Sequence, residues 1–175
     1  MASTTLPYGL RDVKVAPIVN GVVGTLVDLP NARTLSFEEA EDYEELRGDD
    51  RVVATRGKGA SVNWDLEGGG ISLPAYVVMN GGTLVTTGVA PATKDTYSKK
   101  STDSRPEFLA RGQALSESGG DFHTSLFRCK ASGGLSGEMA DGAFWLTSAS
   151  GVALGRAADD VIYEFTSNAT VTAIA

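Results

Sequence analysis

Carboxylates and apolar residues alternate from Ser36 to Asp50 with the period of a β-strand, and this constrains the chain more than any other feature. Leu35, Phe37 and Tyr43 share one parity, and Glu38, Asp42 and Glu44 share the other. In an extended chain successive side chains point to opposite faces, so the three acids line one side. The next apolar run repeats the pattern, with Val62, Trp64 and Leu66 alternating with Asn63, Asp65 and Glu67. Two long strands result, each apolar on one face and acidic on the other. They form a wall whose outer side repels anions.

The strands read as roughly Thr34 to Leu46, a turn at Gly48-Asp49, then Val52 to Glu67. A strand of about 12 residues spans about 40 Å, roughly twice the usual length. Gly57 and Gly59 are expected to bend or loosen the second one. Leu10 to Val15 and Gly21 to Leu29 are further strands, the latter closed by Pro30-Asn31. One helix is expected at Ala75 to Met79, with Ser72 as N-cap, Pro74 near its start and Asn80-Gly81-Gly82 as its stop. Thr83 to Thr87 reads as a strand, and the polar stretch Gly88 to Arg105 as a long loop or extended arm. Phe108 to Ser118 and Asp121 to Ala131, joined at Gly119-Gly120, form a hairpin. Phe144 to Thr147, Val161 to Phe165 and Thr170 to Ile174 complete the strands. The fold class is mainly β, with one short α-helix.

With 175 residues the chain is expected to be a single domain, residues 1–175, able to bury a core. Its 21 glycines favour strands and turns. A net charge of −7 argues against nucleic-acid binding through clustered Lys and Arg. A single cysteine, Cys129, excludes an internal disulfide framework and fits a reducing compartment. No basic-then-apolar signal opens the chain and no run approaches the ~18 apolar residues of a membrane helix, so folding in a cytosol is expected and no membrane role. The sequon at Asn168 to Thr170 then has no machinery to modify it.

Residue types that carry chemistry are sparse. His123 is the only histidine, which rules out a multi-histidine metal site and leaves one candidate base beside Asp121. Cys129 lies between Arg128 and Lys130, which point away from it in an alternating strand, and reads as a packed thiol. The glycines at 57–59 and 68–70 lack the spacing of a phosphate-binding loop. Arg47-Gly48-Asp49 reads as turn chemistry. The carboxylates from Glu38 to Asp50 spread along a strand instead of converging on a cation. The pattern indicates no catalytic residues, no metal site and no cofactor.

Several segments resemble the major tail proteins, or tail tube proteins, of long-tailed non-contractile bacteriophages, especially those infecting actinobacteria. They are Leu6 to Val13, Val27 to Asn31, Thr34 to Asp50, Gly112 to His123, Phe127 to Lys130, and Asp141 to Trp145 with Thr147 to Gly151. They cover nearly the whole chain in order. The resemblance implies a β-sandwich with one helix whose long hairpins close a β-barrel lumen in a hexameric ring, related to contractile-tail and type VI secretion tubes. Rings stack into a tube in the virion tail, assembled in the host cytoplasm. The implied partners are other copies of the chain, the tape measure protein, the tail terminator and distal tail or baseplate proteins. Viral DNA passes through without specific binding.

On this reading Glu38, Asp42, Glu44, Asn63, Asp65 and Glu67 face the lumen. Contacts between subunits are expected at an N-terminal arm of about residues 1–8 including Tyr8, at the hairpin tip with Arg47, Asp49 and Asp50, and at the long loop of about 88–105 with Lys94, Lys99, Lys100 and Arg105. Two readings from other classes are a β-sandwich that binds carbohydrate or decorates a virion, and a small hydrolase using Asp121 and His123. The first calls for exposed aromatics beside a groove, whereas Trp64 and Trp145 occupy positions expected to be buried.

Overall fold

The computed structural model describes residues 5–70, 72–133, 136 and 139–175. Residues 1–4 of the expected N-terminal arm lie outside them. Eleven strands and one helix are present among the described residues: β1 (Pro7–Val19), β2 (Val22–Val23), β3 (Val27–Asp28), β4 (Ala32–Gly48), β5 (Arg51–Gly68), α1 (Leu73–Asn80), β6 (Thr83–Thr87), β7 (Lys94–Ser98), β8 (Glu107–Ser116), β9 (Asp121–Ala131), β10 (Thr147–Ala153) and β11 (Tyr163–Asn168). Nine strands join in one antiparallel sheet in the order β2-β1-β8-β9-β10-β5-β4, with β3 also on β1 and β11 also on β9. No closed barrel forms among them. Strands β6 and β7 make a separate hairpin.

The alternation from Leu35 to Glu67 folds as expected and runs longer. Strands β4 and β5 have 17 and 18 residues, so the ladder extends about 55 Å. Its turn lies one residue later than the sequence indicates. Gly48 still pairs with Arg51, and Asp49 and Asp50 take φ of 51° and 59°. Two positive φ values make the tight turn that matches strand twist, and aspartate tolerates that conformation better than most residues.

Four other segments differ from expectation. Asn20-Gly21, at φ of 52° and 78°, is itself a two-residue hairpin turn, so Gly21 to Leu29 holds two short strands rather than one. The supposed loop 88–105 contains β7, laddered to β6 from Thr87–Lys94 to Thr83–Ser98. The strand expected at Phe144 begins only at Thr147, which pairs with Gly68, the last residue of β5. A Cβ on Gly151 would stand 2.7 Å from the Trp64 ring. Thr170 to Ile174 forms no strand and is held by side chains instead.

The helix matches its signals. Ser72 Oγ accepts from the Ala75 N–H at 3.4 Å, and Gly81, at φ 74°, closes the last turn onto Val77 O at 3.0 Å. Strand β7 finishes this end, since the Tyr97 hydroxyl donates to Gly81 O at 2.7 Å and Lys99 Nζ donates to Asn80 O. The helix packs Ala75, Tyr76, Val78 and Met79 into a core with Val13, Val62, Trp64, Phe108 and Leu126. Trp64 meets Phe108 edge to face at 5.5 Å, an arrangement that adds about 1 kcal/mol beyond burial.

Strand β9 sets the curvature. Its first half pairs with β11 and its last residues with β10. Between them Arg128 sits at φ 42°, beside a break in the β8–β9 register. Such a bulge bends a strand. The bent sheet brings β4 over β11 and β8, so that Phe37 stacks on Phe165 at 5.6 Å and Tyr163 donates to Glu39 at 2.9 Å.

Candidate functional site

Beyond Glu39 the β4–β5 hairpin leaves the body. Strand β10 pairs with β5 only from Val62 to Gly68, so Arg51 to Ala60 has β4 as its sole strand partner among the described residues. Every residue from Glu38 to Arg47 and from Arg51 to Gly59 is exposed. At about 3.3 Å per residue, nine residues give a projection of about 30 Å with two uncovered faces. A hairpin alone is marginal in water, and its free edges invite pairing with another chain.

Register assigns the faces. Leu35 lies opposite Leu66, Phe37 opposite Trp64 and Glu39 opposite Val62. Directly opposed residues share a face, and this one continues into the core. The other face carries Glu38 opposite Asn63, Ser36 opposite Asp65 and Thr34 opposite Glu67, with Asp42 and Glu44 farther along β4. Trp64 is 2% exposed while Asn63 and Asp65 stand in solvent. The six expected acidic-face residues therefore share one side, opposite Val62, Trp64 and Leu66. Phe37 departs from the expected core set, being 41% exposed at the rim.

The alternation concealed that this face is not uniformly acidic. The register shifts between Glu41 and Tyr43, with Gly59 at φ 102° as the extra residue on β5. A bulge exchanges the two faces of the strand that carries it. Past it Arg56 stands opposite Glu44, and Lys58 Nζ reaches Glu44 Oε2 at 3.2 Å. Arg33 pairs with Glu67 at 3.1 Å. Glu38, Asp42 and Asp65 have no ion pair among the described residues, so the negative charge concentrates on the middle of the face. The opposite face is acidic as well, with Glu39, Glu41 and Glu45. There the Tyr43 hydroxyl donates to Glu41 at 2.6 Å, which pushes the phenol pKa up.

The remaining contact candidates divide in two. Tyr8 is not in a free arm but in β1, opposite Leu115, with its ring exposed. Lys99 is engaged at the helix end, and Arg105 Nη1 donates to Ala131 O at 2.9 Å. Lys94 and Lys100 remain exposed on the β6–β7 hairpin and the turn after it. Arg47 forms a two-pronged contact with Glu45 at 2.7 and 3.0 Å, leaving Asp49, Asp50 and Arg51 as the charges of the tip without an ion pair among the described residues.

Asp121 and His123 serve the fold. Asp121 is fully buried and accepts from Gln113 Nε2 at 2.5 Å, Asn168 Nδ2 at 2.8 Å, the Thr172 N–H at 2.8 Å and His123 Nε2 at 3.0 Å. Burial alone would raise its pKa, but these four donors prevail and hold the carboxyl well below the usual range. Gln113 and His123 also reach Thr172 O at 2.8 and 3.1 Å. The cluster thus fastens the segment after β11 across β8 and β9. Among the described residues no serine hydroxyl hydrogen-bonds to the imidazole, whose Nε2 contacts Asp121 and Thr172 O. Cys129 is buried, and its pKa is pushed up to about 12 by desolvation. No cluster of three His, Cys, Asp or Glu among the described residues is placed to hold a metal ion.

A concave site lies where the hairpin leaves the body. Phe37, Phe122, Tyr163 and Phe165 cluster with ring centroids 5.0 to 5.6 Å apart. Beside them a groove of about 360 Å³ runs between β4 and β1–β8, lined by Leu10, Leu35, Phe37, Gly112, Phe122 and Arg33 among others. Sequence reading missed it because its walls come from four strands. No helix among the described residues is long and apolar enough to cross a membrane. Comparison with protein-family models and with curated protein sequences finds no match.

Proposed function

We propose that this chain is a structural virion subunit that assembles into stacked hexameric rings, forming the tail tube of a long-tailed non-contractile phage. The observation that carries the reading is the β4–β5 hairpin, paired over 17 residues and uncovered for half its length. Such an element is an aggregation hazard in a monomer and a construction element in a closed assembly. On this reading the body is a sandwich bearing one helix, and four strands per subunit, the β4–β5 hairpin among them, line the ring.

Six subunits then contribute 24 strands. At ~4.8 Å spacing and ~40° tilt the backbone diameter is roughly 48 Å, which leaves room for a DNA duplex after inward side chains are counted. The face with Glu38, Asp42 and Asp65 would repel phosphate, so DNA slides without ion pairs that stall it. The tape measure, tail terminator and distal tail proteins are the expected partners, and the virion tail the expected location.

Negative-stain microscopy and sedimentation of the purified protein test the reading. Rings with sixfold end views, stacking into tubes about 100 Å or less in width, are expected. A compact monomer at all concentrations would sink it. The exposed aromatic cluster beside a groove favours a second reading, a carbohydrate-binding or decoration module, for which saturable oligosaccharide binding by the monomer is the test.

A further inference from the structure

Among the described residues the β4–β5 hairpin presents two apolar surfaces, one convex at its tip and one concave at its root. The convex one is the hairpin tip, where Leu46 and Val53 are 64% and 61% exposed beside Val52. The concave one is the groove at the root of the same hairpin, floored by Leu10, Leu35, Phe37 and Phe122. Scattered exposed apolar residues are ordinary, but a cluster at the end of a projecting arm and an aromatic hollow are both features of contact sites.

We propose that the tip of one copy seats in the groove of the next. This rests on the self-assembly reading and specifies which surfaces mate. The tip cannot reach its own groove, because the continuously paired β4–β5 ladder holds the two about 30 Å apart. That projection also suits it to reach a neighbour. The β6–β7 hairpin, which packs on the helix through Tyr97, has five residues per strand and extends about half as far.

Charge selects the same pairing. Asp49 and Asp50 form the turn at the apolar tip, with Arg51 next to them, and none of the three has an ion pair among the described residues. Arg33 lines the groove and spends only one contact, to Glu67 at 3.1 Å, out of the five donors of its guanidinium. Docking would place the two aspartates at the Arg33 edge while Leu46 and Val53 enter against Phe37. Gly112 lets β4 lie close over β8 at the groove floor, since a Cβ there would stand 2.7 Å from Leu35 Cδ2. Tip and groove are different patches, so the contact is head-to-tail and propagates into a ring or a filament instead of stopping at a dimer.

Complementation tests this. A tip variant, Leu46→Asp with Val53→Asp, and a groove variant, Arg33→Glu with Phe37→Asp, are each expected to sediment as folded monomers, with far-UV circular dichroism unchanged. Mixed one to one they retain one intact tip and one intact groove, and should form dimers that do not grow. Arg33→Glu alone should raise the concentration for half-assembly roughly tenfold, the scale of one charge pair at a contact. Adding Asp49→Arg and Asp50→Arg to that chain should restore it. Tip and groove variants that assemble like the parent, or a mixture that stays monomeric, would overturn the contact while leaving the tube reading intact. A parent that never assembles would overturn both. Oligosaccharide binding lost in the groove variant, with assembly unchanged, would assign the groove to a sugar and overturn the contact alone.

Discussion

Asp121 is the residue on which the local structure most depends. Four donors converge on a carboxylate that water does not reach, and one of them is the backbone of Thr172. Asp121→Asn replaces an acceptor with an amide whose hydrogens face those donors. We expect a loss of about 2–4 kcal/mol in denaturant unfolding and rapid hydrogen exchange at Thr172. The folded carboxyl titrates below its unfolded value, so its stabilisation is present above the unfolded pKa and is lost as pH falls. Midpoints measured between pH 7 and 2 should decline below about pH 4 in the parent, and decline less in Asp121→Asn. Cys129, with its pKa raised to about 12, should resist a thiol reagent at pH 8 while folded and react once denatured.

The β4–β5 hairpin behaves as two elements. Its root is part of the core through Val62, Trp64 and Leu66, and its outer half has no buried residue from Glu38 to Arg47 or from Arg51 to Gly59. Joining Glu41 to Ala60 through Asn-Gly should therefore leave the body folded, with a denaturation midpoint close to the parent, and abolish assembly. Trp64→Ala at the root should cost about 3–5 kcal/mol. The β6–β7 hairpin is less independent. Tyr97 closes the helix end and stacks on Tyr76 at 5.9 Å, so deleting residues 90–103 removes packing as well as a protrusion. Deleting only 89–92 and bridging Gly88 to Thr93 spares that packing. On the tube reading, rings should still form from that variant and stack into shorter tubes.

For the whole molecule, the distribution of charge matters more than its sum. Three unpaired acids lie mid-face, while Arg33, Arg56 and Lys58 balance the two ends of the same face. The parent is expected to show no retention on duplex DNA at physiological salt. Glu38→Lys, Asp42→Lys and Asp65→Lys together alter only exposed positions, so the protein should fold normally and gain salt-sensitive DNA binding. Unchanged DNA retention in that triple variant would show that this face does not govern contact with nucleic acid.

What the sequence determined by itself was local and periodic. Alternation at Leu35 to Tyr43 and at Val62 to Glu67 specified the strands and their faces. Ser72, Pro74 and Gly81 specified the helix, because capping acts within one turn of chain. The tertiary structure decided what depends on neighbours distant in sequence. β10 starts at Thr147 and not at Phe144 because its partner β5 ends at Gly68, opposite Thr147. Residues 170–174 stay off the ladder because Asp121 binds Thr172 in place of a strand. A single bulge at Gly59 brings Arg56 opposite Glu44, since a period of two loses its phase after one extra residue. The aromatic groove is assembled from β1, β4, β8 and β9, whose residues approach only after β9 bends at Arg128, and no window of sequence contains it.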